Sequence, residues 1–193
     1  MALYLALGAA VSWRPPGSFD LAAQALLGHG LALAYIGYRS GLFPTYATLC
    51  IVTIVVAIFA PRWRGRVAFA IASLLLTWIA SDRFKEFFHR PRPEHWLLVR
   101  ETSPSYSSGH AANALAFYGL WALMIWLSDL PLGVRAVAGG VLFAWSLVID
   151  WSRLAMGAHY PTDIIGGWLL AIAVVSALRA ATVVVEAKER RLE

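Results

Sequence analysis

An all-α, polytopic membrane bundle of about six transmembrane helices is predicted by three features of this chain. Of its 193 residues 60% are hydrophobic and only 14% are charged. Soluble domains carry about 25% charged residues, so a soluble helical protein is the poorer reading. Mean hydropathy is +0.65, and residues 41–60 form a charge-free run long enough to cross ~30 Å of hydrocarbon as a helix. The third feature is placement: the residues able to do chemistry collect at the ends of the apolar runs. The only cysteine, Cys50, lies inside such a run, so an intrachain disulfide is impossible. The net charge of +5 bears on topology and anionic lipid before nucleic acid, and no nucleic-acid partner is expected. No repeat or linker divides the sequence, so residues 1–193 read as a single domain.

In chain order, residues 1–41 are read as a short first span over 1–13 followed by an interfacial segment over 18–38, with Trp13 and Arg14 at its edge. Residues 42–185 are read as a five-helix core with spans at 42–60, 66–84, 110–128, 134–151 and 162–185. Residues 186–193 are the tail. The loop Pro61-Arg62-Trp63-Arg64-Gly65-Arg66 is tight and basic, which places it in the cytoplasm. Lys188, Arg190 and Arg191 then fall on the same side, four spans later. This orientation puts residues 85–109 and 152–162 together on the non-cytoplasmic face.

Three polar clusters meet on that face. Lys85 to Pro93 holds Lys85, Arg90 and Arg92. A juxtamembrane basic patch is the simple explanation, but basic residues on the outer side run against the topology bias and suggest an anionic ligand. In the second cluster, Ser107-Ser108-Gly109-His110 opens an apolar helix. It reads either as an ordinary serine cap or as a phosphate-binding helix start with a histidine able to protonate a leaving oxygen. In the third, His159 precedes a helix that Pro161 starts, and Asp163 lies in its first turn. A carboxylate there can fix the imidazole tautomer and raise the basicity of the other ring nitrogen. Taken alone, the pair is better read as a helix cap with a surface histidine. Asp150 lies three residues before Arg153 and is expected either to pair with it on one helix face or to stand as a helix-end charge.

The order and spacing of these residues carry more than any one cluster. Lys-x6-Arg-Pro (Lys85, Arg92, Pro93), Ser-Gly-His (Ser108 to His110) and Ser-Arg-x5-His-x3-Asp (Ser152, Arg153, His159, Asp163) resemble the three motifs of the type 2 phosphatidate phosphatases. These are integral-membrane lipid phosphatases related to vanadium haloperoxidases. The likeness runs over about residues 18–180. One position departs: Ser107 stands where the family usually has proline.

The resemblance implies that His159 attacks phosphorus to form a phosphohistidine, that Asp163 orients it, and that His110 protonates the leaving group. It implies that Lys85, Arg92, Ser108, Gly109 and Arg153 bind the phosphate, with no metal and no cofactor. The implied partner is a lipid phosphate within the bilayer, surrounded by membrane lipids. The implied location is the inner membrane, with the site on the non-cytoplasmic face. Among small bacterial members, undecaprenyl diphosphate is the first substrate reading. Phosphatidylglycerophosphate, phosphatidate and a lipid phosphotransferase reaction are the alternatives. A transporter or scramblase would place ionisable groups near the midplane, and the middles of the five clear spans carry none.

Overall fold

The structure is a computed structural model that describes residues 1–94 and 96–189. Arg190 and Arg191, which figured in the sequence reading, lie outside the described residues. Described residues form helices and connecting loops, with no strand among them. The helices are α1 (Ala2–Ser12), α2 (Ser18–Ala22), α3 (Leu31–Ser40), α4 (Phe43–Phe59), α5 (Arg64–Phe88), α6 (Gly109–Ala114), α7 (Leu120–Trp126), α8 (Leu132–Ala155) and α9 (Pro161–Glu189).

Proline and left-handed residues set the boundaries. Pro161 sits at the first position of α9 and Pro131 caps α8, where a missing N–H costs nothing. His89, at φ 49°, ends α5, and Pro91 and Pro93 keep the helix from resuming. α5, α8 and α9 are each long and apolar enough to cross a membrane. α3 and α4 qualify together, as a pair bent by 57°. α6, a five-residue π segment at Leu115–Gly119, and α7 follow one another without a break.

These elements match the expected core spans, though α5 and α8 run further at the site end than their apolar runs. Lys85 and Arg153 lie within the last helical turns, where cations favour the helix C-terminus. The N-terminal reading differs more. The expected first span is a helix of 11 residues, about 16 Å of rise and roughly half the hydrocarbon thickness. The expected interfacial segment is not one helix. Gly28 (φ 81°) and Gly30 (φ 58°) turn the chain between the 3-10 turn at Ala23–Leu26 and α3. α3 then lies along α8, where Gly37 lets the backbones approach: a Cβ there would stand 3.0 Å from both Ser152 Cβ and Val148 O.

Two interior clusters hold the bundle. Tyr46, Leu74, Ala114, Phe117, Tyr118 and Ile149 fill the centre. Tyr4, Phe88, Tyr106, Ala112 and Leu170 pack beneath the polar end. Val52, Ile54, Val55, Ile58 and Phe59 of α4 face outward, as expected for a lipid-facing surface. The close packing read at Gly166-Gly167 has a specific reason. A Cβ on Gly167 would meet Ser108 O at 2.7 Å and Ala112 N at 2.9 Å, so glycine lets α9 touch the start of α6 and bring Asp163 beside Ser108.

Candidate active site

Four helix ends deliver the site: the C-termini of α5 and α8, and the N-termini of α6 and α9. Lys85, Arg92, Ser108, Gly109, His110, Arg153, His159 and Asp163 all come together there, joined by contacts among themselves and through Glu101, Ser103 and Tyr38. The backbone ties the last two clusters directly, since Ser108 N–H donates to Asp163 O at 3.0 Å.

His159 is buried, 3% exposed. Its Nε2 lies 2.9 Å from Arg92 Nη1. Arginine can only donate, so Nε2 carries the lone pair and the ring proton is on Nδ1. That Nδ1–H faces Asp163 Oδ2 and Ser105 Oγ, each at 3.4 Å. Burial first, then Arg92 and Arg153, push the imidazole well below its usual range. The contact with Asp163 is therefore a neutral N–H against a carboxylate, and Nε2 is an available nucleophile at neutral pH.

Asp163 is fully buried and multiply held. Its Oδ2 accepts from Ser105 Oγ at 2.5 Å and from Tyr160 N–H at 2.9 Å, and its Oδ1 accepts from Arg90 Nη1 at 2.6 Å. Arg90, which the sequence left open as a second phosphate ligand, thus points away from the anion site.

Arg92 is fixed by Ser103 O at 2.7 Å and Ala158 O at 2.8 Å. Arg153 is 1% exposed, and its Nε and Nη1 have no partner among the described residues. Buried unpaired donors are costly, and two guanidinium donors in this position suit the oxygens of an anion. Lys85 Nζ reaches Ser103 Oγ at 3.3 Å. Gly109 lies close beside it, where a Cβ would stand 3.2 Å from Ser81 Oγ and 3.9 Å from Lys85 Nζ. Ser108 caps α6, its Oγ accepting Ala111 N–H at 3.4 Å.

His110 stacks on Tyr38 at 5.4 Å, and the Arg153 guanidinium lies over the same tyrosine ring at 5.0 Å. Its Nε2 is buried without a partner among the described residues. Gly41 makes room for the ring, since a Cβ there would stand 2.4 Å from His110 Cδ2.

Glu101 belongs to none of the three motifs and was not expected at the site. Its Oε2 accepts from Arg92 Nη2 at 2.8 Å, and its Oε1 accepts from Arg153 Nη2. Burial alone would raise its pKa, but Arg153, then His159, Arg92 and Lys85, hold the carboxyl at about 2. An internal carboxylate therefore holds one donor each of Arg92 and Arg153, and an incoming anion would compete with it for them. Glu101→Gln is expected to tighten binding of inorganic phosphate or orthovanadate by about 10-fold, because it removes the competing bound state. Inhibition constants would check this; unchanged constants would mean that Glu101 does not compete. The expected Asp150–Arg153 pairing is not found. Arg153 turns to Glu101, and Asp150 Oδ2 instead accepts from Trp168 Nε1 of α9 at 2.8 Å.

A cavity of about 360 Å³ opens onto His159 and Arg92. Its walls include Pro16, Asp20 and Leu21 from the N-terminal segment.

Fold and site together define an integral-membrane helical bundle with a buried histidine–carboxylate pair and an arginine cradle at one end. The chain belongs to the PAP2 superfamily, whose family model matches residues 66–185. A phosphatidylglycerophosphatase B of Bacillus subtilis (strain 168) is 32% identical over 109 residues, 51% of this chain and 52% of that protein. A putative undecaprenyl-diphosphatase of Escherichia coli (strain K12) is 30% identical over 108 residues, 54% of this chain and 49% of that protein. The chain thus spans about half the length of these curated relatives. The crystal structure of a transmembrane PAP2-type phosphatidylglycerolphosphate phosphatase from Bacillus subtilis superposes with a TM-score of 0.75 at 20% identity, covering 94% of this chain and 92% of that one. That likeness establishes the shared fold.

Proposed function

We propose that this protein hydrolyses the phosphate of a bilayer lipid through a phosphohistidine on His159. The observation that carries the reading is the neutral, buried His159, with Nδ1–H toward Asp163 and Nε2 facing Arg92. Phosphoryl transfer needs an in-line nucleophile and positive charge around the equatorial oxygens. Lys85, Arg92 and Arg153 supply the charge, with Ser108 and the Gly109 N–H completing the cradle.

In the first step Nε2 of His159 bonds to phosphorus as the bond to the leaving oxygen breaks. His110 gives that oxygen a proton, and Asp163 stabilises the charge that develops on the His159 ring. In the second step water attacks the phosphohistidine, His110 takes the water proton, and inorganic phosphate leaves as His159 regains its lone pair. Three cations supply the charge stabilisation, so the reaction is expected to proceed without a metal ion. The site is assigned to the non-cytoplasmic face of the inner membrane, opposite the Arg62-Arg64-Arg66 loop.

Undecaprenyl diphosphate is the substrate we favour, in keeping with the Escherichia coli relative. Phosphatidylglycerophosphate is the second reading, in keeping with the Bacillus subtilis relative that is 32% identical over 109 residues. Phosphate release from undecaprenyl diphosphate, phosphatidylglycerophosphate and phosphatidate, measured in detergent micelles with chelator present, tests the assignment. Release that survives chelation is expected, fastest from undecaprenyl diphosphate. Release only when metal is restored would contradict the metal-free reaction. Transfer of phosphate to an added alcohol with none to water would make the protein a phosphotransferase.

A further inference from the structure

Arg90 is 2% exposed, and its guanidinium is taken up by Tyr160, Thr162, Asp163 and Asp20. Its guanidinium lies over the Tyr160 ring at 4.4 Å. Nη1 donates to Asp163 Oδ1 at 2.6 Å and to Thr162 Oγ1 at 2.7 Å, and Nη2 donates to Asp20 Oδ2 at 2.7 Å. Asp20 is 3% exposed and also holds the start of α9: its Oδ1 accepts from Thr162 N–H at 3.1 Å and from Thr162 Oγ1 at 2.8 Å. Asp20 comes from α2, 143 residues before Asp163, and stands outside residues 66–185 that match the family model.

The charges explain the arrangement. A lone arginine on Asp163 would cancel the negative charge that a developing His159 cation needs. Asp20 supplies a second carboxylate to the same guanidinium, so the buried trio keeps a net charge of −1. The Nδ1–Asp163 distance of 3.4 Å is long, so a small shift of the carboxylate toward Arg90 would cost the contact. A misplacement of about 1 Å in such a site can cost on the order of 10²-fold in rate.

We propose that Asp20 and Arg90 are positioning residues for Asp163, so that the N-terminal segment around α2 is a working part of the catalytic site. This rests on the reading of His159 as a nucleophile oriented by Asp163. The same segment walls the cavity that opens onto His159, and Gly28 N–H anchors it to Ala155 O at 2.9 Å. Asp20 therefore connects the substrate approach to the histidine–carboxylate pair.

The test is a double-mutant comparison of Asp20→Asn, Asp163→Asn and the two combined, with Arg90→Lys as a charge-conserving fourth variant. Turnover and KM would be measured on phosphatidylglycerophosphate and on undecaprenyl diphosphate in micelles, alongside thermal unfolding. Asn keeps the shape of Asp20 and loses its charge. Asp20→Asn is expected to lower kcat by about 10- to 100-fold with KM within about 3-fold. In the Asp163→Asn background the same change is expected to have no further effect, because it acts through Asp163. Arg90→Lys, which holds Asp163 without the fork, is expected to fall between wild type and Asp20→Asn. An undiminished kcat in Asp20→Asn, or losses that multiply in the double variant, would overturn the positioning role. If Asp163→Asn itself left kcat unchanged, the reading of the His159–Asp163 pair would fail, and the proposal with it.

Discussion

His159→Ala is expected to lower lipid phosphate hydrolysis by at least about 10⁴-fold, because the nucleophile is removed and no nearby group can replace it. Lipid binding should survive within a few-fold, since Lys85, Arg92 and Arg153 remain on their own anchors: Arg92 on Ser103 O and Ala158 O, and Lys85 on Ser103 Oγ. The pairing of lost turnover with retained binding separates chemistry from folding. Turnover and equilibrium binding of the lipid phosphate on the same preparation would read both. Residual turnover above about 1% of wild type would require another nucleophile.

Arg153→Ala carries the second largest expected effect. Two of its buried donors have no partner among the described residues, so they are free for oxygens that carry more charge in the transition state than in the ground state. Loss of such donors is expected to lower kcat/KM by about 10³-fold, about 4 kcal/mol of transition-state stabilisation. Arg153→Lys keeps the charge and loses the planar fork, so about 10-fold of that loss should return. The alanine variant also leaves Glu101 with fewer partners, so thermal unfolding must be followed beside the kinetics. Equal activities for the alanine and lysine variants would mean that Arg153 acts only on packing.

Much of this was legible before the fold was known, and the reasons are physical. The long apolar helices α5, α8 and α9 show in the sequence because a membrane span needs about 20 apolar residues. The residues of the three motifs show because topology forces span ends of one parity onto one face. Glu101 was not legible: it sits in an irregular loop without periodicity, and only the three-dimensional position of Arg92 and Arg153 gives it a role. Asp20 was hidden by its 143-residue distance from Asp163. The fate of Arg90 and Arg92 could not be read from spacing alone. The prolines hold residues 90–93 extended, and side chains two apart in such a run point in different directions, one to Asp163 and the other to His159. The path of the N-terminal segment was not legible, because it turns at Gly28 and Gly30, whose left-handed conformations apolar length does not reveal.

Ser107 illustrates a substitution with a local account. Where the family usually carries proline, the serine is fully buried, with its Oγ 3.4 Å from Tyr4 OH. Tyr106 OH in turn donates to Tyr4 O at 2.7 Å. The loop before Ser108 is thereby tied to α1.

The central claim is that phosphate passes through Nε2 of His159, and rapid-quench trapping tests it most directly. The enzyme would be mixed with lipid radiolabelled at the phosphate, stopped in alkali and mapped by mass spectrometry. The expected result is an acid-labile, alkali-stable phosphoramidate on His159 that forms faster than phosphate is released and is absent from His159→Ala. Label on another residue, or a full turnover of released phosphate with no adduct at any quench time, would contradict it.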